Sequence, residues 1–261
     1  MINHKMKVTF NGTGTSQGVP VIGCQCEVCI SKDNKDNRLR SSITIQYKDT
    51  SVVIDAGPDF RQQMLRAKIN KLDAIVFTHE HKDHVAGLDD VRAYNFITKK
   101  PINIYCTNNV FKALKREYHY IFDPAFQYPG IPKIIRNKID SSKDFIVKNL
   151  KITPINVLHY KLPVLGFRVD DFCYITDASF IEEKEKSKLK NLKVLVLNAL
   201  RKEKHISHFN LEEALALIKE LKPKKAYLTH ISHLMGKHSE VSDTLPENVE
   251  IAYDNLSIKI E

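Results

Sequence analysis

The chain has 261 residues, of which 43% are hydrophobic and 27% are charged, and no long segment is biased enough to predict disorder. It lacks an apolar run of about 18 residues, so no membrane span is expected, and its start lacks the apolar core of a signal peptide, which predicts a cytoplasmic protein. The net charge of +9 comes from lysines scattered along the sequence, a pattern typical of solvated helix faces rather than of a nucleic-acid groove.

Strands and helices alternate through the first half of the chain. Apolar runs rich in β-branched residues predict strands at residues 7–12, 41–47, 51–57, 73–79 and 102–107. Helical periodicity predicts helices at residues 59–67, 87–97 and 108–121. Asn108 or Asn109 is expected to cap the last of these helices. Residues 123–132 contain three prolines, which predicts an ordered loop or flap.

The second half of the chain also contains predicted strands and a predicted helix. Strands are predicted at residues 133–138, 144–149, 151–159, 165–171, 173–178, 193–200, 224–230, 249–254 and 256–260. A helix is predicted at residues 210–221, with Asn210 as its cap. Two similar halves without a linker predict one α/β domain over residues 1–261, a four-layer αββα sandwich in which two mixed sheets pack face to face between helices.

The run THEHKDH, residues 78–84, places three histidines and an aspartate directly after an apolar strand. A loop at the end of a strand allows these side chains to converge. Imidazole and carboxylate together suit divalent transition metals such as Zn²⁺ and Mn²⁺. A solvated polar loop is the alternative, but four ligand-type residues at this spacing favour a metal site.

This HxHxDH run resembles the signature of the metallo-β-lactamase superfamily, and four further motifs follow the order of that superfamily. They are Asp55 in DAGPDFR, His159 after an apolar strand, Asp177 in CYITDAS and His230 in AYLTHIS. Each motif lies at the end of a predicted strand. Taken alone, His159 could be a surface histidine and Asp177 could begin a helix, but their order favours metal ligation.

The resemblance implies two divalent ions, Mn²⁺ or Zn²⁺, at one active site. It assigns one ion to His79, His81 and His159, the other to Asp83, His84 and His230, and a bridging position to Asp177. Asp83 is also counted among the catalytic residues. Asp55 is expected to accept a hydrogen bond from a ligand imidazole and to fix its tautomer. The alternative for Asp55 is a turn residue that ends a strand.

The stretch GTGTSQGVPVIGCQCEVC, residues 12–29, lacks the lysine and glycine spacing of a phosphate-binding P-loop. Three cysteines within six positions indicate a metal site rather than a disulfide framework. The stretch resembles the branch of the superfamily that hydrolyses phosphoribosyl 1,2-cyclic phosphate. That resemblance implies a structural Zn²⁺ held by Cys24, Cys26, Cys29 and His233, with three reduced, unliganded cysteines as the alternative. Cys106 and Cys173 lie within predicted strands and are expected in the core.

HISHFNLEEAL, residues 205–215, contains a further candidate catalytic residue. By resemblance to phosphodiesterases of the superfamily, His208 is the general acid that protonates the leaving oxygen, or a ligand of the phosphate. Imidazole suits that task near neutral pH. His205 is the nearby rival, and a histidine that merely flanks the helix is the structural alternative. Arg38 and Arg40 lie near the motif, without an assigned contact.

These features predict a metal-dependent phosphodiesterase in which a metal-bound hydroxide attacks a small cyclic phosphodiester, 5-phosphoribosyl 1,2-cyclic phosphate being the leading candidate. One alternative is an RNA 3′-end-processing endonuclease of the tRNA-maturation type. It is disfavoured because the longest irregular stretch, residues 123–132, contains no lysine or arginine to grip RNA. The other is a non-catalytic metal-binding or partner-binding protein on the same fold. We expect a small phosphorylated substrate and no membrane partner; a homodimer is compatible with the resemblance.

Overall fold

A computed structural model describes residues 5–126 and 128–260 of the chain. The first sheet contains, in spatial order, β14 (Ser257–Ile260), β1 (Met6–Gly12), β2 (Ser42–Tyr47), β3 (Thr50–Ile54), β4 (Ala74–Val76), β5 (Ile102–Cys106) and β6 (Ile134–Lys138). The second contains β13 (Val249–Ile251), β12 (Lys225–Thr229), β11 (Val194–Asn198), β10 (Phe172–Ile175), β9 (Leu162–Val169), β8 (Leu150–His159) and β7 (Phe145–Val147).

The described helices connect these strands. They are α1 (Phe60–Arg66), α2 (Lys82–Val85), α3 (Arg92–Thr98), α4 (Asn108–Glu117), α5 (His119–Phe122), α6 (Glu183–Lys186), α7 (Leu211–Leu221) and α8 (His238–Ser242). Short 3₁₀ helices lie at Asn34–Asp36, Leu88–Val91, Pro124–Phe126, Ser187–Leu189 and His233–Met235. None of the helices in the described ranges is long and apolar enough to cross a bilayer.

Both sheets are mixed. In the first sheet β3, β4, β5 and β6 are parallel, while β1 pairs antiparallel with β2 and β14. In the second sheet β10, β11, β12 and β13 are parallel, while β9 is antiparallel to β8 and β10. The two sheets are therefore built alike, and each has parallel strands whose carboxyl ends can carry a site.

Alternation along the strands separates three apolar clusters. Val52 and Ile54 of β3 pack between the two sheets, whereas Val53 faces α1, α3 and α4 on the outside. Tyr174 of β10 likewise enters the central cluster, while its neighbours Cys173 and Ile175 pack with α7 on the other outer face. Successive strand side chains point to opposite faces, so both sheets are buried on two sides. This arrangement confirms the predicted αββα sandwich.

The helix ends show where the sequence interpretation was wrong. Thr107, and neither Asn108 nor Asn109, caps α4, since the Thr107 side chain accepts a hydrogen bond from the Val110 backbone N–H at 3.4 Å. The predicted helix 108–121 is split into α4 and α5 at Tyr118, whose φ of −121° departs from helical values. Asn210 caps α7 as predicted and forms a reciprocal capping box with Glu213.

Candidate active site

The predicted site residues lie at strand ends from both sheets. Asp55 directly follows β3 and His230 directly follows β12, while Asp177 lies two residues beyond β10. The run 78–84 begins two residues after β4, and His159 is the last residue of β8. The carboxyl ends of parallel strands meet at one edge of a sheet. Since the two sheets pack face to face, residues far apart in sequence converge on the same edge of the sandwich.

Three of these residues adopt left-handed backbone conformations, with φ of 63° at Asp55, 52° at Asp177 and 59° at His230. Such conformations are uncommon for residues other than glycine and cluster at functional sites, where the surrounding structure holds them in place. In all three cases the chain leaves its sheet at or just before this residue. The shared conformation sets these residues apart from ordinary strand ends.

Asp177 contacts histidines from three segments of the chain. Its Oδ2 atom lies 2.9 Å from Nε2 of His84 and 3.2 Å from Nε2 of His79, and its Oδ1 atom lies 2.8 Å from Nδ1 of His230. Both oxygens of this carboxylate therefore face imidazole nitrogens. The potential metal ligands form three groups that share Asp177, namely Asp83, His84 and His230, then His79 and His81, then His159 and His208.

Buried imidazole nitrogens test whether these residues fit a metal. The Nε2 atoms of His79, His84 and His208 have no hydrogen-bond partner, although carboxylate oxygens lie near the first two. An unpaired buried polar atom costs about 1–3 kcal/mol. Bare imidazole nitrogens beside carboxylates are the donor set that Zn²⁺ and Mn²⁺ prefer. The chemistry of the donor set therefore fits divalent metal ions.

Asp55 anchors the cluster from within. Its Oδ2 atom accepts a hydrogen bond from Nδ1 of His84 at 2.7 Å and another from the Thr78 hydroxyl at 2.8 Å. Its Oδ1 atom accepts from the Thr78 backbone N–H at 2.9 Å. Thr78 Oγ1 also lies 2.9 Å from Nδ1 of His79. One carboxylate thus fixes the orientations of two neighbouring imidazoles, one directly and the other through a threonine.

His159 and His81 lie on the more open side of the cluster. The Nδ1 atom of His159 donates to the carbonyl oxygen of Ser207 at 2.7 Å, which directs the other ring nitrogen away from that loop. The ring centroids of His81 and His159 are 5.1 Å apart, and those of His79 and His81 are 4.6 Å apart. The three histidines assigned to the first ion are therefore neighbours.

Burial and charge act against each other in the cluster. Burial alone would lower the pKa of His84, but the carboxylates of Asp177 and Asp83 outweigh it and raise that pKa well above its usual range. Burial likewise opposes ionisation of Asp177, but His230 and His84 hold its pKa well below the usual range. Burial lowers the pKa of His79 to about 4. Metal ligands must be deprotonated, so cation binding here would displace protons.

His208 lies at the edge of this cluster. Its Nε2 atom is 3.9 Å from Oδ1 of Asp177, and its ring lies between those of His159 and His230, at centroid distances of 4.4 and 4.9 Å. On the other side its Nδ1 atom is 3.2 Å from Nδ1 of His205. Burial and the neighbouring His230 lower the pKa of His208 to about 2. Anionic phosphate beside the ring would act in the opposite direction and favour its protonation.

The three clustered cysteines surround the side chain of His233. Nδ1 of His233 lies 3.3 Å from Sγ of Cys24, 3.3 Å from Sγ of Cys26 and 3.6 Å from Sγ of Cys29. Zinc–ligand bonds of about 2.3 Å to sulfur and about 2.0 Å to nitrogen, at tetrahedral angles, separate the two ligand atoms by about 3.5 Å. These four side chains therefore fit a tetrahedral zinc ion.

The glycine-rich loop after β1 lies against His230, the last of the predicted metal ligands. The backbone N–H of Thr15 donates to the carbonyl oxygen of Ile231 at 3.1 Å, and the Thr15 hydroxyl lies 3.2 Å from Nε2 of His230. The backbone at Gly57 packs closely against the backbone at Asp83. A Cβ at position 57 would lie 2.0 Å from the carbonyl oxygen of Asp83. The segments that contain Thr15 and Gly57 therefore contact the predicted metal ligands His230 and Asp83.

The two arginines near this loop serve the fold. Arg38 is buried, and it donates to Thr13 Oγ1 at 2.8 Å and to the Ala252 carbonyl oxygen at 2.6 Å. Arg40 pairs with Asp59 at 3.1 Å. Both guanidinium groups therefore have partners outside the histidine cluster.

The sequence analysis did not identify the polar residues that contact the predicted ligands. Thr78, Thr15 and Ser207 lie inside the runs THEHKDH, GTGTSQG and HISHF, but nothing in their spacing distinguishes them from surface residues. Ser41 was missed as well, and its hydroxyl lies 3.2 Å from Nδ1 of His230. Position directly beside a histidine could have indicated Thr78 and Ser207, but Thr15 and Ser41 carry no such signal.

Residues 50–231 match the family model described as a β-lactamase superfamily domain, so the chain belongs to the metallo-β-lactamase superfamily and is a metal-dependent hydrolase of that fold. Within the superfamily it belongs to the PhnP family. The crystal structure of a diphosphatase from that family is 37% identical to it and superposes with a TM-score of 0.91, with 98% of each chain covered. The predicted family and enzyme class are thereby confirmed.

Two further relatives are more distant in sequence or in length. The chain is 36% identical over 258 residues to an octanoyltransferase of Porphyromonas gingivalis, which covers 98% of this chain but only 52% of that relative. It spans about half the length of the curated relatives that it matches. The human short-form tRNase Z superposes with a TM-score of 0.70 at 19% identity, over 98% of this chain and 99% of the other, and shows the shared fold alone.

Proposed function

We propose that the protein is a phosphodiesterase that hydrolyses a small cyclic phosphodiester, with 5-phosphoribosyl 1,2-cyclic phosphate as the leading substrate. The observation that carries this proposal is the position of His208. Its Nε2 atom is buried, has no hydrogen-bond partner and faces the shared carboxylate of Asp177 across 3.9 Å. A proton donor beside a site for two cations suits the cleavage of a P–O bond.

The proposed ligands follow the contacts around Asp177. We assign His79, His81 and His159 to one ion, Asp83, His84 and His230 to the other, and Asp177 to both. A carboxylate whose two oxygens face histidines of both sets supports this division. Divalent ions at this site would supply Lewis-acid stabilisation of charge on the phosphoryl oxygens and activation of water.

The remaining residues orient the site or donate protons. Asp55 holds the ring of His84, and the carbonyl oxygen of Ser207 holds that of His159. Partners of this kind fix which nitrogen of an imidazole is free to bind a metal. His208 is then the residue that donates a proton to the leaving oxygen. Its side chain is buried in the described structure.

We also propose that Cys24, Cys26, Cys29 and His233 hold a structural zinc ion. The sulfur–nitrogen separations of 3.3 to 3.6 Å support this assignment. His233 lies three residues after His230, so an ion here would tie the loop that carries the cysteines to the segment that carries a proposed active-site ligand. The role of this ion would be to restrain the loop rather than to take part in hydrolysis.

A direct assay tests the proposed function. Purified protein supplied with Mn²⁺ or Zn²⁺ is expected to open 5-phosphoribosyl 1,2-cyclic phosphate to a phosphomonoester, followed by phosphorus NMR, and to cleave the chromogenic diester bis(para-nitrophenyl) phosphate. His208→Ala should slow cleavage of the cyclic substrate by about 10²-fold or more, while His119→Ala, which alters a histidine outside the cluster, should not. Absence of metal-dependent turnover on both diesters would refute the proposal.

Hydrolysis of a diphosphate is the second candidate, because the PhnP-family relative is described as a diphosphatase. The same proposed ions and the same donor could serve a phosphoanhydride, whose better leaving group depends less on protonation. ADP-ribose is a suitable probe. Turnover of ADP-ribose that exceeds turnover of the cyclic diester, and that persists in His208→Ala, would favour this candidate over the first.

Processing of RNA 3′ ends is the less favoured alternative. The fold is shared with tRNase Z, but the irregular segment 123–132 contains no lysine or arginine. Cleavage of a tRNA precursor with affinity that falls steeply as salt increases would favour RNA as the substrate. Metal binding without turnover on any phosphate ester would instead favour a non-catalytic protein.

A further inference from the structure

His205 lies beside His208, and the motifs of the metal centre assign it no role. The Nδ1 atoms of the two rings are 3.2 Å apart, and the ring centroids are 5.1 Å apart. The hydroxyl of Ser207 contacts both rings, 3.2 Å from Nδ1 of His205 and 3.1 Å from Nδ1 of His208. The contact with His205 therefore involves Nδ1 of His208, whereas Nε2 of His208 faces Asp177.

The backbone determines which nitrogen of His205 carries a proton. The N–H of Ser207 points at Nδ1 of His205, with a nitrogen–nitrogen distance of 3.4 Å. A nitrogen that accepts a hydrogen bond offers a lone pair, so the proton of neutral His205 is on its Nε2 atom. If Nδ1 of His208 also carried a lone pair, it would repel the lone pair on Nδ1 of His205 at a separation of 3.2 Å. The favourable arrangement is a proton on Nδ1 of His208, donated to His205.

Packing keeps His208 in this orientation. Its ring is stacked on that of His230 at an interplanar angle of 17° and meets His159 edge-on at 67°, and the residue is only 9% exposed. Its Nε2 atom is then the nitrogen without a partner. Burial lowers the pKa of His205, with the nearby charge of Arg201 as a second cause, which preserves the accepting lone pair.

We propose that His205 is a positioning residue for His208, which it orients by accepting a hydrogen bond from Nδ1–H so that Nε2 is directed at the leaving oxygen. This inference rests on the proposed function. In hydrolysis a bond forms between phosphorus and the oxygen of water while the bond from phosphorus to the leaving oxygen breaks. The leaving oxygen takes the Nε2 proton of the protonated His208 ring. The Nδ1 proton stays on the ring, held by His205, and a proton from water restores Nε2–H.

The dependence on the leaving group tests this role. His205→Ala should lower kcat for 5-phosphoribosyl 1,2-cyclic phosphate, whose alkoxide must be protonated, by about 10- to 100-fold. It should change kcat for bis(para-nitrophenyl) phosphate by no more than about twofold, because that leaving group departs without protonation. His205→Asn, whose side-chain oxygen can accept the same hydrogen bond, should recover part of the loss. Equal losses on both diesters would overturn the proposal.

Ser207→Ala distinguishes between the two groups that contact Nδ1 of His208. It removes the hydroxyl that also touches Nδ1 of His208, while it keeps the backbone N–H and the carbonyl that binds His159. The loss of activity on the cyclic diester should be smaller than the loss in His205→Ala. A loss as large as that of His205→Ala, confined to the cyclic diester, would assign the positioning role to Ser207 instead.

A spectroscopic measurement decides the inference without a substrate. The nitrogen chemical shifts of labelled histidine in the zinc-loaded wild type should identify His208 as the Nδ1–H tautomer, and His205→Ala should shift it toward a mixture. An Nε2–H tautomer in the wild type would overturn the proposal. If the wild type cleaves neither diester, the proposed function fails, while the tautomer still shows whether His205 orients His208.

Discussion

The Nδ1 atom of His84 lies 2.7 Å from Oδ2 of Asp55, and both side chains are fully buried. Asp55 follows a strand of the first sheet, and His84 belongs to the short helix α2. Because Nδ1 donates to this carboxylate, the free lone pair is on Nε2, which faces Asp177 at 2.9 Å. The orientation of a proposed metal ligand is therefore fixed by a residue that does not itself join any of the potential ligand groups around Asp177.

Asp55→Asn should weaken metal binding at the cluster. The amide cannot supply the charge that two oxygens now offer to His84 and Thr78, so the imidazole loses its fixed orientation. We expect affinity for the cluster metals to fall by about 10- to 100-fold, measured by competition with a chelator. Asp59→Asn is the control, since Asp59 pairs with Arg40 outside the cluster. Unchanged affinity in Asp55→Asn would contradict this role.

Cys26→Ser should remove one equivalent of zinc and leave the cluster metals in place. The thiolate is favoured at this position, because the backbone N–H of Cys29 and then His233 lower the pKa of Cys26 to about 6. Elemental analysis of purified protein provides the measurement. Cys106→Ser is the matched control, because Cys106 of β5 is buried in the apolar cluster with the outer helices and belongs to none of the potential metal-ligand groups among the described residues. Equal zinc content in both variants would argue against the structural site.

Gly57→Ala should disturb the segment that carries Asp83. The added Cβ would lie 2.0 Å from the carbonyl oxygen of Asp83, an overlap with backbone that requires the chain to move. Overpacking of this kind costs about 1–3 kcal/mol, and we expect weaker binding of the cluster metals in the same chelator competition. Gly130→Ala meets no atom within 4 Å, although its φ of 108° is itself unfavourable for alanine. Loss of metal in Gly130→Ala alone would refute the steric explanation.

His238 should make the protein less stable in mild acid. Burial, followed by the charge of Arg38, lowers its pKa from 6.5 to about 4, so the folded protein keeps it neutral where the unfolded chain takes up a proton. Its contribution is complete above pH 6.5 and is lost as the pH falls toward about 4. The other charged groups that face it are Lys35, Asp33 and Asp36.

His238→Asn removes this titration while it retains an acceptor for Arg38, whose guanidinium lies 3.3 Å from Nδ1 of His238. The free energy of unfolding, measured by urea titration at a series of pH values, should depend less steeply on pH between 4 and 6.5 in the variant. A wild-type curve and a variant curve that stay parallel across this range would show that His238 is not the group responsible.

Local pattern was sufficient for the fold because each strand carries its own alternation. Val52 and Ile54 point to one face and Val53 to the other, so both faces of β3 are apolar in the sequence itself. The cap of α4 was not predictable in this way. Thr107 and Asn108 are both good capping residues, and only the path of the chain out of β5 decides which of them lies at the Ncap position.

Sequence motifs were sufficient to predict the family, because the HxHxDH residues lie on one short segment and the remaining motifs keep a fixed order. The tertiary structure alone decided how those residues face one another. The left-handed conformations at Asp55 and Asp177 and the contact between His205 and His208 arise where strand ends of two sheets meet. Hydrogen bonds at such a meeting depend on the register and packing of both sheets, which no local spacing encodes.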